Sequence, residues 1–127
     1  MSDDLAGLYR AYIACLNRQD WGRLGDFVDD AVTHNGRRLG LAGYRRMLEQ
    51  NFDDIPDLQF KIDMLLCDGD RVAARLVFDC TPKGQFLGLA IDGRRVTFAE
   101  NVFYEVLEDK IARVWSVIDK AAIEAQL

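Results

Sequence analysis

The chain has one histidine, two prolines and three cysteines in 127 residues. No two cysteines form a CxxC pair, and with a single histidine the donor set of a zinc site is missing. Neither a metal nor a cofactor is therefore expected. Cys15, Cys67 and Cys80 lie far apart in apolar surroundings, which predicts buried, reduced thiols. There is no run of ~18 apolar residues, so no transmembrane helix is predicted. The opening MSDDLAGLYR is acidic and lacks the apolar stretch of a signal peptide, so a cytoplasmic location is expected. Positive charge is also short. The formal net charge is -5, which argues against a nucleic-acid partner or an anionic membrane surface. The pairs Arg37-Arg38, Arg45-Arg46 and Arg94-Arg95 read as solvated edges. No linker, repeat or low-complexity segment divides the chain, so a single domain over residues 1–127 is expected.

What is present is an ordinary globular composition, 50% hydrophobic and 29% charged. Leu5, Leu8, Tyr9, Tyr12, Ile13 and Leu16 fall at helical spacing, with Asp3 and Asp4 at the positive end of that helix. Asp20 suits the cap of a short second helix holding Trp21, Leu24, Phe27 and Val28. Leu41, Tyr44, Leu48 and Phe52 mark a third helix that stops before Pro56. The period then changes to two. Leu58, Phe60, Ile62, Met64 and Leu66 predict a strand with one buried face. Val72, Ala74, Leu76, Phe78 and Cys80 predict its hairpin partner across Asp68-Gly69-Asp70. Phe86 to Ile91 reads as a short strand, Val96–Leu107 as a long one and Ile111–Ile118 as the last, before a helix from Lys120 to Leu127. Helices followed by a mostly antiparallel sheet make an α+β fold.

Several residues stand out chemically. Asp119 ends an apolar run just before the last helix, so it is either that helix's cap or a carboxylate for proton transfer. Trp115 and Val117 share its strand parity and would wall it. His34, the one histidine, is either a proton relay or a packed turn residue. Asn35 either orients a carbonyl or makes a turn before Gly36. Arg75 anchors a carboxylate or ester, or pairs with a neighbouring strand. Glu100 shares parity with Phe98, Val102 and Tyr104, and is either a second carboxylate of the site or half of a cross-strand ion pair. Tyr12, Tyr44, Phe60, Tyr104 and Trp115 either embrace a flat ligand or simply fill the core.

Four segments in order carry a resemblance: AVTHNGRRLGLAGYRRML, IPDLQFKIDMLLCDGDRVAARLVF, GQFLGLAIDGRRVTF and DKIARVWSVIDKAAIEAQL. Together, from about Ala31 to Leu127, the chain resembles the SnoaL-like polyketide cyclases. The resemblance implies the cone-shaped fold shared with nuclear transport factor, ketosteroid isomerase and scytalone dehydratase. It also implies a pocket between helices and sheet, and a homodimer through the sheet's other face, where Ala73 and Val77 are too apolar for open water. It implies ring closure on an aromatic polyketide ester by a cofactor-free aldol step, with Asp119 matching the family's acid/base in W-x-x-x-D. The Val96–Leu107 strand lacks the catalytic histidine that these cyclases carry there. Pro82 stands where the family often has histidine, and Asp79-Cys80 and Asp109 replace glycines. Two functional readings follow. One is a cyclase or isomerase acting on a small, apolar, carbonyl-bearing substrate, with Asp119 as acid/base and His34 or Asn35 holding the oxygen. The other is a non-catalytic module that binds a small apolar or aromatic ligand.

Overall fold

The computed structural model describes residues 4–127. Helix α1 (Leu5–Arg18) leads into a 3-10 helix (Trp21–Asp26). Strand β1 (Val28–His34) and the short β2 (Arg37–Arg38) follow, then helix α2 (Gly40–Asp54). The rest of the sheet is β3 (Lys61–Asp68), β4 (Arg71–Cys80), β7 (Val96–Leu107) and β8 (Lys110–Ile118). Between β4 and β7 lies a separate small hairpin, β5 (Gln85–Phe86) and β6 (Leu89–Ala90), and α3 (Lys120–Glu124) comes last.

The six-stranded sheet runs β2-β1-β8-β7-β4-β3. Only the β1–β8 pair is parallel. This is the expected α+β architecture, with a curved sheet wrapped on its helices. The helices place Tyr9, Tyr12, Ile13 and Leu16 of α1 and Tyr44, Leu48 and Phe52 of α2 against the concave face. That face is made by Val72, Ala74, Leu76 and Phe78 of β4, by Phe98, Val102 and Tyr104 of β7, and by Val114 of β8. Each fully buried side chain of this size contributes about 1.5–3 kcal/mol through its removal from water.

Several expectations are corrected. Phe27 and Val28 do not continue the second helix, because Val28 begins β1. The strand was hidden by its own irregularity. Its register shifts between Val28 and Thr33, where Asp29 turns back to accept the Ala31 N–H. The buried residues Val28 and Val32 therefore stand four apart, a helical spacing. In β3 a bulge between Ile62 and Met64 reverses the alternation. Met64 and Leu66 consequently point outward, 54% and 64% exposed, while Leu65 packs on the core. Cys67, beyond Leu65 on this edge strand, is exposed rather than buried, unlike Cys15 and Cys80. The segment Phe86–Ile91 is a hairpin, not one strand. The last helix ends at Glu124. The tail beyond it is held by Gln126, whose side-chain amide brackets the Thr97 backbone: its oxygen accepts the N–H at 2.9 Å and its nitrogen donates to the carbonyl at 2.6 Å. Asp4 and Asp20 occupy N-cap positions without a side-chain cap bond, and Asp3 lies outside the described residues. Among the described residues no helix is long and apolar enough to cross a membrane.

Candidate active site

A cavity of about 180 Å³ lies between the helices and the concave face. Tyr12, His34, Tyr44, Phe60, Glu100 and Tyr104 all line it, so six of the residues singled out in the sequence come together. Asn51 and Ser116 complete its polar lining, and Leu16, Met47, Leu76, Val102 and Ile118 form apolar walls.

Glu100 is the carboxylate of this cavity. The β7 alternation sends it inward with Phe98 and Val102, and β8 places Ser116 inward beside it. The Ser116 hydroxyl donates to Glu100 Oε2. Burial among apolar neighbours pushes the Glu100 pKa up, and the Ser116 hydrogen bond only partly offsets this. His34 ends β1 with its ring 6.4 Å from that of Tyr44. Burial, with Arg37 nearby, lowers its pKa and favours the neutral imidazole.

The phenols form two pairs. Tyr12 and Tyr44 hydroxyls lie 2.7 Å apart, and those of Tyr9 and Tyr104 2.9 Å apart. Burial raises the pKa of all four, so each keeps its proton. One hydrogen joins each pair. Among the described residues the second hydrogen of each pair has no protein acceptor, and in the Tyr12–Tyr44 pair it belongs to a cavity-lining group.

The other candidates lie elsewhere. Trp115, Val117 and Asp119 do share a parity, but it is the outward one, because Val114, Ser116 and Ile118 take the inward positions. Trp115 is 41% and Val117 70% exposed, so neither walls the cavity. Asp119 is exposed at the N-cap of α3, where it accepts the Ala122 N–H at 3.1 Å. It borders a groove on the outer face together with Lys61, Arg75 and Thr97. Asp119 and His34, expected to act on one substrate, thus do not share a cavity. Arg75 also faces outward and pairs with Asp63 of the neighbouring strand at 3.1 Å. Asn35 makes the β1–β2 turn with Gly36, both at positive φ, 49° and 82°. Its side chain also continues the β1–β8 ladder. The amide oxygen accepts the Ser116 N–H at 2.8 Å, and the amide nitrogen donates to the Ser116 carbonyl at 3.2 Å. Asn35 therefore positions Ser116 and does not enter the cavity. Ser116 was missed in the sequence, although a polar residue between inward Val114 and Ile118 marks it once the strand's faces are assigned. Among the described residues no cluster of His, Cys, Asp and Glu is arranged to hold a metal ion.

The family model of SnoaL-like polyketide cyclases matches residues 6–127. The chain belongs to this family. A SnoaL-like polyketide cyclase from Agrobacterium tumefaciens is 56% identical, with 96% of each chain covered and a TM-score of 0.95. Two Streptomyces proteins share the fold at 22% identity, each match covering 99% of this chain and 96% of theirs. They are TsrD from Streptomyces laurentii, TM-score 0.85, and AclR, a candidate hydroxylase from Streptomyces galilaeus, TM-score 0.80. No sequence among the curated proteins matches the chain. Within this SnoaL-like frame, Asp119 gives a direct test of cap against catalyst. Asp119→Asn is expected to keep the fold and any activity of the wild type, because Asn caps a helix as well as Asp. Asp119→Ala is expected to cost about 1 kcal/mol in thermal or denaturant unfolding. A rate loss in a well-folded Asn variant would return Asp119 to the mechanism.

Proposed function

We propose that the chain is a cofactor-free acid/base catalyst that moves a proton next to a carbonyl on a small, apolar, polyketide-like substrate, with Glu100 as the proton carrier. The observation that carries this is one carboxylate set in an apolar cavity beside a neutral imidazole and a phenol pair with a spare donor. In its ionised form Glu100 takes the α-proton, and the Ser116 hydroxyl holds the carboxylate in place. The spare O–H of the Tyr12–Tyr44 pair, with His34, donates to the carbonyl oxygen as it gains charge. The resulting enolate either attacks a second carbonyl carbon, forming the ring bond, or is protonated again at another carbon. Glu100 then returns its proton, to the new alkoxide or to carbon. A raised carboxylate pKa suits this cycle, since the group must both take and give a proton near working pH. The polyketide cyclase from Agrobacterium tumefaciens supports ring closure as the reaction.

The test does not require the natural substrate. In deuterium oxide, wild-type protein is expected to accelerate exchange of the α-protons of 1-indanone, followed by proton NMR, above the rate given by heat-denatured protein. No acceleration with 1-indanone or with any other small aryl ketone or ester would sink the catalytic reading and leave a binding module.

We also propose that a second copy of the chain covers the sheet's outer face. Leu66, Ala73, Phe103 and Trp115 are cross-strand neighbours in one row over β3, β4, β7 and β8. Phe103 is 59% exposed, and an apolar row of this kind in a monomer faces water without compensation.

A further inference from the structure

The β5–β6 hairpin is fastened at its base and free at its tip. At the base, the Lys83 N–H donates to the Asp54 carbonyl, those of Ile91 and Asp92 to Gly84, and that of Gly93 to Pro82. From Gln85 to Ala90 the ladder pairs only with itself, in a two-stranded sheet apart from the main one. Phe86 and Leu89 lean on the core, and the Phe86 ring lies 5.6 Å from that of Phe98. An element held by a few apolar contacts is among the first to open locally.

Its turn has an unusual residue. Leu87 and Gly88, between the paired Phe86 and Leu89, have φ of 54° and 78°. Two-residue turns with both φ positive favour Asn, Asp or Gly first, because a Cβ there is crowded. Leu87 bears that strain, and its side chain lines the cavity with His34, Met47 and Glu100 while remaining 38% exposed. It therefore reaches from solvent to the interior. Phe86 borders both this cavity and a void of about 60 Å³, which also share Phe60, Glu100 and Ile118. At about 180 Å³ the cavity lies below the usual small-molecule range of roughly 300–1,000 Å³, so a larger ligand needs a wall to move.

We propose that the Phe86–Leu87 tip is the movable wall of the site and sets the size of its substrate. Leu87 closes over the ligand from the solvent side, and Phe86 limits its length. The closed form admits a one- or two-ring compound and disfavours three fused rings. This rests on the cavity being the place where Glu100 acts.

The experiment compares fluorescence titrations with 2-naphthol and 9-phenanthrol, alongside ligand-free thermal unfolding. Wild type is expected to prefer the two-ring probe. Leu87→Ala is expected to weaken 2-naphthol binding roughly 10-fold and to narrow or reverse the preference. Leu87→Asn suits the turn better, so it is expected to melt at or above wild type and still show the same loss. A merely structural Leu87 would not separate the two readouts in this way. Unchanged affinities in both variants, a wild type without size preference, or a wild type that binds neither probe each overturn the wall. If wild type exchanges 1-indanone while the Leu87 variants keep wild-type affinities, the wall falls and the role of Glu100 stands. If the preference shifts in a protein that never exchanges, the wall stands and the catalytic reading falls.

Discussion

Glu100→Gln is expected to slow α-proton exchange roughly 100-fold or more while leaving the protein at least as heat-stable as wild type. Gln has nearly the same shape and still offers an oxygen to the Ser116 hydroxyl, but it cannot accept a proton as a carboxylate does. The stability half of the expectation follows from the raised pKa of Glu100. Between the unfolded value, near 4.3, and the higher folded value, the folded chain keeps a proton that the unfolded chain has released. Stability therefore falls as pH rises through that window and levels off above the folded value. The Gln variant lacks this fall. Its advantage in melting temperature is expected to grow as pH rises above the unfolded value and to vanish below about pH 4. The wild-type rate runs the other way, because the base must be ionised. Exchange is expected to fall as pH drops through the raised Glu100 value, above the ordinary carboxylate range. Melting curves and NMR exchange across pH 4–8 check both halves, and a Gln variant that exchanges at the wild-type rate overturns the assignment.

Trp115→Lys is expected to give a folded monomer where wild type sediments at about twice 14.4 kDa. Trp115 sits opposite Phe103 across β7 and β8, and Phe103 opposite Ala73, so a single charge there interrupts the outer apolar row. Losing one aromatic anchor typically costs about 2 kcal/mol or more, roughly 30-fold in dissociation constant, and burying an unpaired ammonium adds to that. Its side chain lies away from the cavity, so the catalytic groups are expected to keep their places. Sedimentation equilibrium at micromolar concentration decides. A wild-type monomer removes the homodimer, and a dimeric Lys variant moves the interface elsewhere.

Parity was legible in the sequence and the choice of face was not. Alternation along β7 placed Glu100 with Phe98, Val102 and Tyr104, and the cavity holds all of these but Phe98, which lines the adjoining void. Alternation along β8 grouped Trp115, Val117 and Asp119 just as correctly. Nothing local says which side of a strand meets the helices when both sides are apolar, and here the aromatic side is the outer one. The bulge in β3 hid the exposure of Met64 and Leu66 for a related reason, since one extra residue reverses every side chain beyond it. Strand β1 was lost because Asp29 and Asp30 interrupt it and its buried valines keep helical spacing. Ser116 carries no signature alone and gains meaning only from Glu100 on the adjacent strand.

The order of the sheet also bears on how the chain is made. Strands β1 and β2 meet the rest of the sheet only through β8, which leaves the ribosome after every other strand. Until then β7, β4 and β3 can form a meander, but its β7 edge is unpaired. The α1 and α2 faces then have only part of the surface they finally cover, and Glu100 lacks Ser116. The link that seats Ser116 is the Asn35 side chain, 81 residues earlier in the chain. Such long-range closure is slow compared with local pairing, and it leaves an open edge exposed to other nascent chains in the interval. A catalytic centre placed on this seam is therefore assembled by the same late event that removes the open edge, and partly folded chains carry no working site.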